Sequence, residues 1–225
     1  MILRELKEAN SAMLDSVNAA RDKQAVENLK VQLSSLSNIT TQLEQLLSLM
    51  DALKNKGFVE AIITEESKQT LQDAVDQCGS KVNDRNLEAG TVAALKTAVD
   101  LCRNLTETKW KTAAEERSRA TIEALTSLRV LLTDKKTADD ILDYLNTAVV
   151  TMPTTEKALD IFTVRLRNGK KIIDDLHFTS DKEIRAFVDK VRGGRATIGD
   201  VTPKVLDWLK ENRLTDKIRL SFRTM

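Results

Sequence analysis

The chain has 225 residues, of which 41% are hydrophobic, 31% charged and only 4% aromatic, with two prolines and seven glycines. This composition supplies a sizeable core and favours helices over a sheet, so we expect an all-α fold. The 35 basic and 34 acidic side chains leave a net charge of +1, which excludes nucleic-acid binding through the overall field alone.

Charges and cysteines are distributed unevenly. Residues 157–225 carry a net charge of +6 and residues 1–156 one of −5. Cys78 and Cys102 lack a CxxC spacing and there is a single histidine, so neither a metal nor any other cofactor is expected. No segment approaches 18 uninterrupted apolar residues, which predicts no membrane contact and a cytoplasmic location.

The first 53 residues have a helical period. Apolar side chains recur every three or four positions, and those of residues 26–50 fit a heptad with Thr40 at one core position. Asn10 falls in the corresponding seam of the preceding segment. This pattern predicts a coiled coil or long bundle that self-associates through residues 26–50 and ends at Gly57.

Two more helices complete an elongated region that we expect to span residues 1–134. Thr64 is the predicted N-cap of the first and Gly79 its stop, whereas the second runs from about Thr91 to Leu132. Its middle, "TETKWKTAAEERSRAT", is nearly all polar. That stretch is predicted either to cross solvent or to contact a partner.

Trp110 lies in this polar stretch between Lys109 and Lys111. An exposed tryptophan there would suit a protein contact or the stacking of a base, so these three residues are candidates for binding a partner. A second helix could equally cover the indole. The sequence leaves both alternatives open.

Shorter helices follow, and we expect them to form a compact domain over residues 135–225. Thr137 and Asp140 resemble a capping box at the first of them. Asn168 with Gly169 is the predicted end of the next.

Another S-x-x-E box, at Ser180 and Glu183, predicts the start of a helix that Gly193 ends in the left-handed conformation. The stretch "RGGRAT" could present backbone N–H groups to a phosphate. However, no G-x-x-x-x-G-K-[ST] pattern and no preceding strand is present. We therefore interpret it as a helix stop before a helix that Thr202 caps, with Pro203 at the first helical position and Trp208 in the core.

No catalytic residue is predicted, and the chain is not expected to be an enzyme. His177 has no partner at a recognisable spacing. The carboxylate pairs Asp139/Asp140 and Asp174/Asp175 are adjacent, so on a helix their side chains diverge by about 100°.

The C-terminal domain contains the candidates for nucleic-acid contact, although acids are interleaved with them. These candidates are Arg192, Arg195, Arg213, Lys217 and Arg219. They form either one patch or a solvated face. The tail "KIRLSFRTM" alternates apolar and polar residues, the period of a short C-terminal strand, which would either pair in trans or pack as an extended tail.

Residues 193–222, "GGRATIGDVTPKVLDWLKENRLTDKIRLSF", resemble C-terminal segments of large P-loop ATPases in prokaryotic anti-phage systems of the bacteriophage-exclusion (BREX) kind. The resemblance implies a helical, partner-binding region of such a machine. It implies no ATPase activity, because this chain has no nucleotide-binding motif.

We therefore expect a non-catalytic helical scaffold or adaptor in a larger cytoplasmic complex. The alternative is a nucleic-acid-associated subunit, or a fragment of a phage-defence assembly, that uses the basic C-terminal domain.

Overall fold

A computed structural model describes residues 6, 8–13, 23–84, 86–129, 131–132, 134–176 and 181–218. Its helices are α1 (Lys23–Asn55), α2 (Glu65–Asn83), α3 (Ala89–Leu128), α4 (Lys135–Val150), α5 (Glu156–Asp175), α6 (Lys182–Arg192) and α7 (Pro203–Glu211). Short 3₁₀ turns occupy Ile198–Asp200 and Thr215–Lys217. No strand occurs among the described residues, which confirms the all-α class; most of the predicted C-terminal strand lies outside them.

The chain divides into two compact units within α3. The first comprises Met1–Lys111 and Pro153–Glu156, and the second comprises Thr112–Met152 and Lys157–Met225. The change of sequence texture near residue 134 falls instead after α3, which ends at Leu128, and before α4, which begins at Lys135. A helix keeps its local pattern where its neighbours change, so the sequence marks the end of the helix rather than this division.

The leucine stripe of α1 forms the core of the first unit together with α2 and the first part of α3. The main contributors are Leu33, Leu36, Leu43, Leu71, Val75, Cys78, Leu95, Val99 and Cys102. Thr40 is 3% exposed and its hydroxyl donates to the Leu36 carbonyl at 2.8 Å, which confirms its predicted core position. Asn10 is also buried.

This core corrects the prediction of self-association through residues 26–50. The apolar seam that was to meet a second copy is filled by the chain's own α2 and α3. Pairing with another chain through the same residues would require this core to open. The heptad pattern therefore identified an internal core.

The predicted helix ends of the first unit are partly confirmed. The Ser67 N–H donates to the Thr64 hydroxyl at 3.1 Å, which confirms that N-cap, and Gly57 follows the end of α1 with a left-handed φ of 67°. The prediction that Gly79 ends a helix was wrong, because α2 continues to Asn83. A glycine inside a helix costs only about 1 kcal/mol relative to alanine, which surrounding packing can offset.

The second unit has a core contributed by the later part of α3 and by α4 to α7. Its main members are Leu125, Leu128, Ile141, Leu145, Leu159, Phe162, Leu166, Ile173, Ile184, Phe187, Val188, Val205, Trp208 and Leu209. Trp208 is buried, as predicted, and its indole N–H donates to the Leu176 carbonyl at 2.7 Å.

Gly169 was expected to end a helix, but α5 continues to Asp175. A Cβ at this glycine would lie 2.8 Å from Thr121 Cγ2 and 3.2 Å from Leu125 Cδ1. The missing side chain therefore allows α5 to approach α3 closely. The prediction was wrong because the sequence does not show which helix lies opposite the glycine.

Two of the three predicted N-caps in the second unit were assigned to the wrong residues. The N-cap of α4 is Asp134, whose carboxylate accepts from the Thr137 N–H at 3.1 Å, so the predicted box at Thr137 and Asp140 is wrong. The N-cap of α6 is Asp181 rather than Ser180, which lies outside the described residues. Thr202 caps α7 ahead of Pro203 as predicted.

Gly169→Ala should destabilise the chain by about 1–2 kcal/mol, because overpacking against Thr121 outweighs the gain in helix propensity. Thr121→Ser removes the nearest methyl group and should recover most of this loss in the double variant. Thermal and urea unfolding followed by circular dichroism measure both.

Gly79→Ala is the matched control, because a Cβ there would meet only Leu6 Cδ1 at 3.9 Å. It should leave stability unchanged or raise it by up to about 1 kcal/mol. Equal losses in the two variants would contradict a close approach specific to Gly169.

Candidate functional site

Trp110 is a core residue of the first unit. Its side chain is 1% exposed and its ring centroid lies 5.5 Å from that of Phe58. Lys109 and Lys111 remain exposed. Of the two alternatives that the sequence left open, burial by the same chain is the one observed, with Phe58 against the indole, so Trp110 itself is withdrawn as a partner contact.

The polar middle of α3 is also buried along one side. The residues on this side are Thr106, Trp110, Ala113, Ala114, Ser118 and Thr121. Thr106 and Ser118 donate their hydroxyls to the carbonyls of Cys102 and Ala114, at 2.7 and 2.6 Å. Their polar atoms are thus satisfied within the helix, and a stretch that looks polar in sequence buries one side.

Helices α6 and α7 form an antiparallel hairpin. The Lys190 ammonium pairs with Asp200, and that of Lys204 pairs with Asp181. The Trp208 indole N–H reaches Leu176, just after α5. Asp200, Lys204 and Trp208 follow one another along the chain, whereas their partners Lys190, Asp181 and Leu176 follow in the reverse order. Helix α7 therefore runs antiparallel to α6.

This geometry separates the candidate nucleic-acid contacts. Arg192 and Arg195 lie at the turn of the hairpin, whereas Arg213 and Lys217 follow α7 at its far end. An 11-residue helix such as α6 is about 16 Å long. The candidates therefore form two separate pairs, and Arg219 lies outside the described residues.

The backbone N–H groups of the glycine turn form hydrogen bonds that cap the C-terminal end of α6. The N–H groups of Gly193, Gly194 and Arg195 donate to carbonyls of α6 at 2.8–3.0 Å. They are not available to a phosphate. The left-handed residue is Gly194, with φ 63°, and the prediction of this conformation for Gly193, with φ −78°, was wrong.

Arg192 and Arg195 are held differently at this turn. The Arg192 guanidinium donates to the Ser127 hydroxyl at 3.1 Å, and this hydroxyl donates to the Asp189 carboxylate at 3.2 Å. Arg195 folds over Gly193, where a Cβ would lie 3.1 Å from its Nε. Neither arginine forms an ion pair within the described part of the chain.

The carboxylates of Asp181 and Asp200, which pair with lysines of the hairpin, are stabilised in their charged form. The Lys190 ammonium and hydrogen bonds from Thr197 lower the pKa of Asp200 to about 2. The Lys204 ammonium and the backbone N–H of Glu183 lower the pKa of Asp181. Both carboxylates are therefore charged and paired at neutral pH.

The remaining candidates add no chemical site in the described residues. His177 lies outside them, and Asp139 pairs with Arg129 at 2.6 Å. Within residues 6–218, excluding the gaps already named, no three potential metal ligands converge. No helix of that same part is both long and apolar enough to span a bilayer.

A small groove in the first unit has a volume of about 170 Å³. It is lined by Leu6, Ala9, Val75, Asp76, Gly79, Ser80 and Asn83. Typical small-molecule sites are larger, roughly 300 Å³ or more. The groove therefore gives no basis for a substrate.

No protein-family model matches the chain, and no curated protein or solved structure matches it. The function must therefore be argued from its own surface. Sequence reasoning missed two residues there, Ile161 and Val164, which are 41% and 47% exposed on α5. The available signal was a second set of apolar positions at helical spacing, outside the set that forms the core.

Asp200→Asn should lower the melting temperature at pH 7. The pKa of Asp200 is lower in the folded chain than the ordinary unfolded value near 4, so its contribution is present above about pH 5 and lost as the pH falls towards 2. The difference between wild type and variant should therefore shrink over this range. Melting curves at successive pH values measure it.

Asp216→Asn is the control, since Asp216 has no ion pair among the described residues. Its difference from wild type should stay small at every pH. An Asp200→Asn difference that persists unchanged at pH 2.5 would rule out the charge of Asp200 as its cause.

Proposed function

We propose that this chain is a non-catalytic helical scaffold or adaptor that mediates protein–protein assembly in a larger cytoplasmic complex. The supporting observation is the exposure of Ile161 and Val164 one turn apart on α5. Single exposed apolar residues are ordinary, whereas neighbouring ones on an ordered helix are typical of a contact surface.

The polar surface of the second unit is consistent with this role. Several of its acids serve as helix caps or ion-pair partners, among them Asp134, Asp181 and Asp200. Such groups stabilise the helices and hold them in fixed positions. A rigid arrangement of helices is what an adaptor needs to present a surface with little loss of entropy on binding.

The adaptor proposal predicts that the chain is recovered from its native host as part of a complex. Chemical crosslinking in cells followed by affinity purification and size-exclusion chromatography should give reproducible partners that co-elute with it. Recovery only as the free chain, at its natural level and after crosslinking, would contradict the proposal.

A nucleic-acid-associated subunit is the second candidate. It is favoured by Arg192 and Arg195, two neighbouring arginines at the hairpin turn that have no carboxylate partner among the described residues. Membership of a phage-defence assembly rests on the resemblance of residues 193–222. The amides of the turn contribute nothing to this role, because α6 uses them.

Binding to a 30-base-pair DNA duplex at about 50 mM salt should then weaken about three- to tenfold on Arg195→Glu and fall steeply with added salt. Arg213→Glu, at the other end of the hairpin, is the charge-matched control and should have a smaller effect. Fluorescence anisotropy measures both. The absence of binding at low salt would remove this candidate, and equal effects of the two changes would exclude the hairpin turn as the specific binding site.

A further inference from the structure

Helix α5 carries two separate stripes of residues at helical spacing. The inner stripe is buried and consists of Leu159, Phe162, Leu166, Gly169 and Ile173. The outer stripe consists of Lys157, Ile161, Val164, Asn168, Ile172 and Asp175. At about 100° per residue, Val164 points directly away from the centre of the inner stripe.

The outer stripe has the spacing of a helix-packing seam. Its members follow one another at intervals of four, three, four, four and three residues, the spacing that lets two helices pack along their length. Ile161, Val164 and Asn168 are exposed and Ile172 is half-buried. Part of this seam is therefore open to solvent in the single chain.

The ends of the outer stripe carry opposite charges. Lys157 lies at its start and Asp175 at its end, and both side chains are exposed. Neither forms an ion pair within residues 134–176 and 181–218 or elsewhere in the described chain. The stripe is thus positive at one end, apolar in the middle and negative at the other end.

We propose that the outer stripe of α5 binds the same stripe of a second copy of this chain, with the two helices antiparallel about a two-fold axis midway between Val164 and Asn168. In this register Lys157 lies opposite Asp175 of the second copy. Ile161 lies opposite its Ile172, and Val164 opposite its Asn168. In every pair the two residue numbers add up to 332 or 333. A single antiparallel register therefore brings all three pairs together.

Charge complementarity identifies the occupant as a second copy. A parallel pair would place Lys157 beside Lys157 and Asp175 beside Asp175, which is unfavourable. The antiparallel pair brings unlike charges together at both ends, as a self-complementary surface requires. The asparagine within the seam favours a single register, a role that buried asparagines have in coiled coils.

The proposed dimer is weak. Three apolar residues from each helix cover far less area than a standard interface, so we expect a Kd on the order of 100 μM. Association therefore depends on concentration and strengthens when a larger complex gathers several copies. The inference rests on the proposed adaptor function, for which it names a self-association surface.

Single-cysteine variants test the antiparallel register. A mixture of Val164→Cys and Asn168→Cys should form disulfide dimers about tenfold faster than either variant alone. Cysteines with the same number would be offset by about 6 Å along the helix axis, too far for easy bridging. The natural cysteines are buried, and burial raises the pKa of the Cys78 thiol to about 11, so they should remain unreactive.

Faster crosslinking of either variant with itself than in the mixture, or equal rates in all three samples, overturns the antiparallel register. Rates are read from non-reducing gels under a mild oxidant at about 100 μM protein.

A charge exchange tests the end pairs. Lys157→Asp should raise the dimer Kd about three- to tenfold, and adding Asp175→Lys in the same chain should restore it. Val164→Ser should weaken the dimer at least tenfold, whereas Val31→Ser, which changes a 67% exposed residue of α1, should not. Sedimentation equilibrium measures each Kd, and circular dichroism confirms folding.

A wild-type chain that stays monomeric up to about 1 mM, or no restoration in the exchanged variant, overturns the inference. These outcomes are separate from a failure of the adaptor proposal. If other partners still co-purify from the host with Lys157→Asp, which weakens the dimer but leaves Ile161 and Val164 in place, the adaptor function stands without the dimer.

Discussion

The structure depends on burying one continuous stripe along the 40 residues of α3, because this helix contributes to both units. Large apolar residues such as Leu95 and Leu128 form the two ends of the stripe, whereas small residues such as Ala114 and Ser118 form its middle, just beyond Trp110. Small side chains bury little area individually but allow a neighbouring helix to approach closely and fill the space with its own atoms. Gly169 of α5 extends this arrangement, since it meets the stripe at Thr121.

The sequence predicted the fold class and those local features whose cause is local. The N-caps Thr64 and Thr202 depend on a hydroxyl three residues ahead of a backbone N–H, so residues near in sequence determine them. The roles of glycines were harder to predict, because three glycines have three different roles. Gly57 follows the end of α1, Gly79 lies inside α2, and Gly169 allows close contact between helices. Only the last role is set by residues distant in sequence, and no local pattern reveals it.

The candidate site was predictable only in its residue types. Arginines near a glycine turn were evident, but whether they gather depends on the direction of α7, which the ion pairs Lys190–Asp200 and Lys204–Asp181 define. Partners separated by 10 or 23 positions leave no periodic signal. Trp110 illustrates the same limit, because its neighbours in sequence are lysines while its neighbour in space is Phe58. Sequence patterns describe a helix and its faces, whereas burial also depends on what lies opposite.

Periodicity also does not distinguish a stripe that forms a core from one that remains exposed. The α1 stripe is mostly leucine, and such a stripe is too costly to leave in water, so the chain buries it internally. The outer stripe of α5 combines isoleucine and valine with asparagine and charged ends, so most of it remains exposed to water in the single chain. A mixed stripe can be exposed in the free chain and still bind a complementary surface, because its polar members remain solvated in one state and can be paired in the other. The composition of a stripe, rather than its spacing, therefore indicates whether it belongs to a core or to a reversible contact.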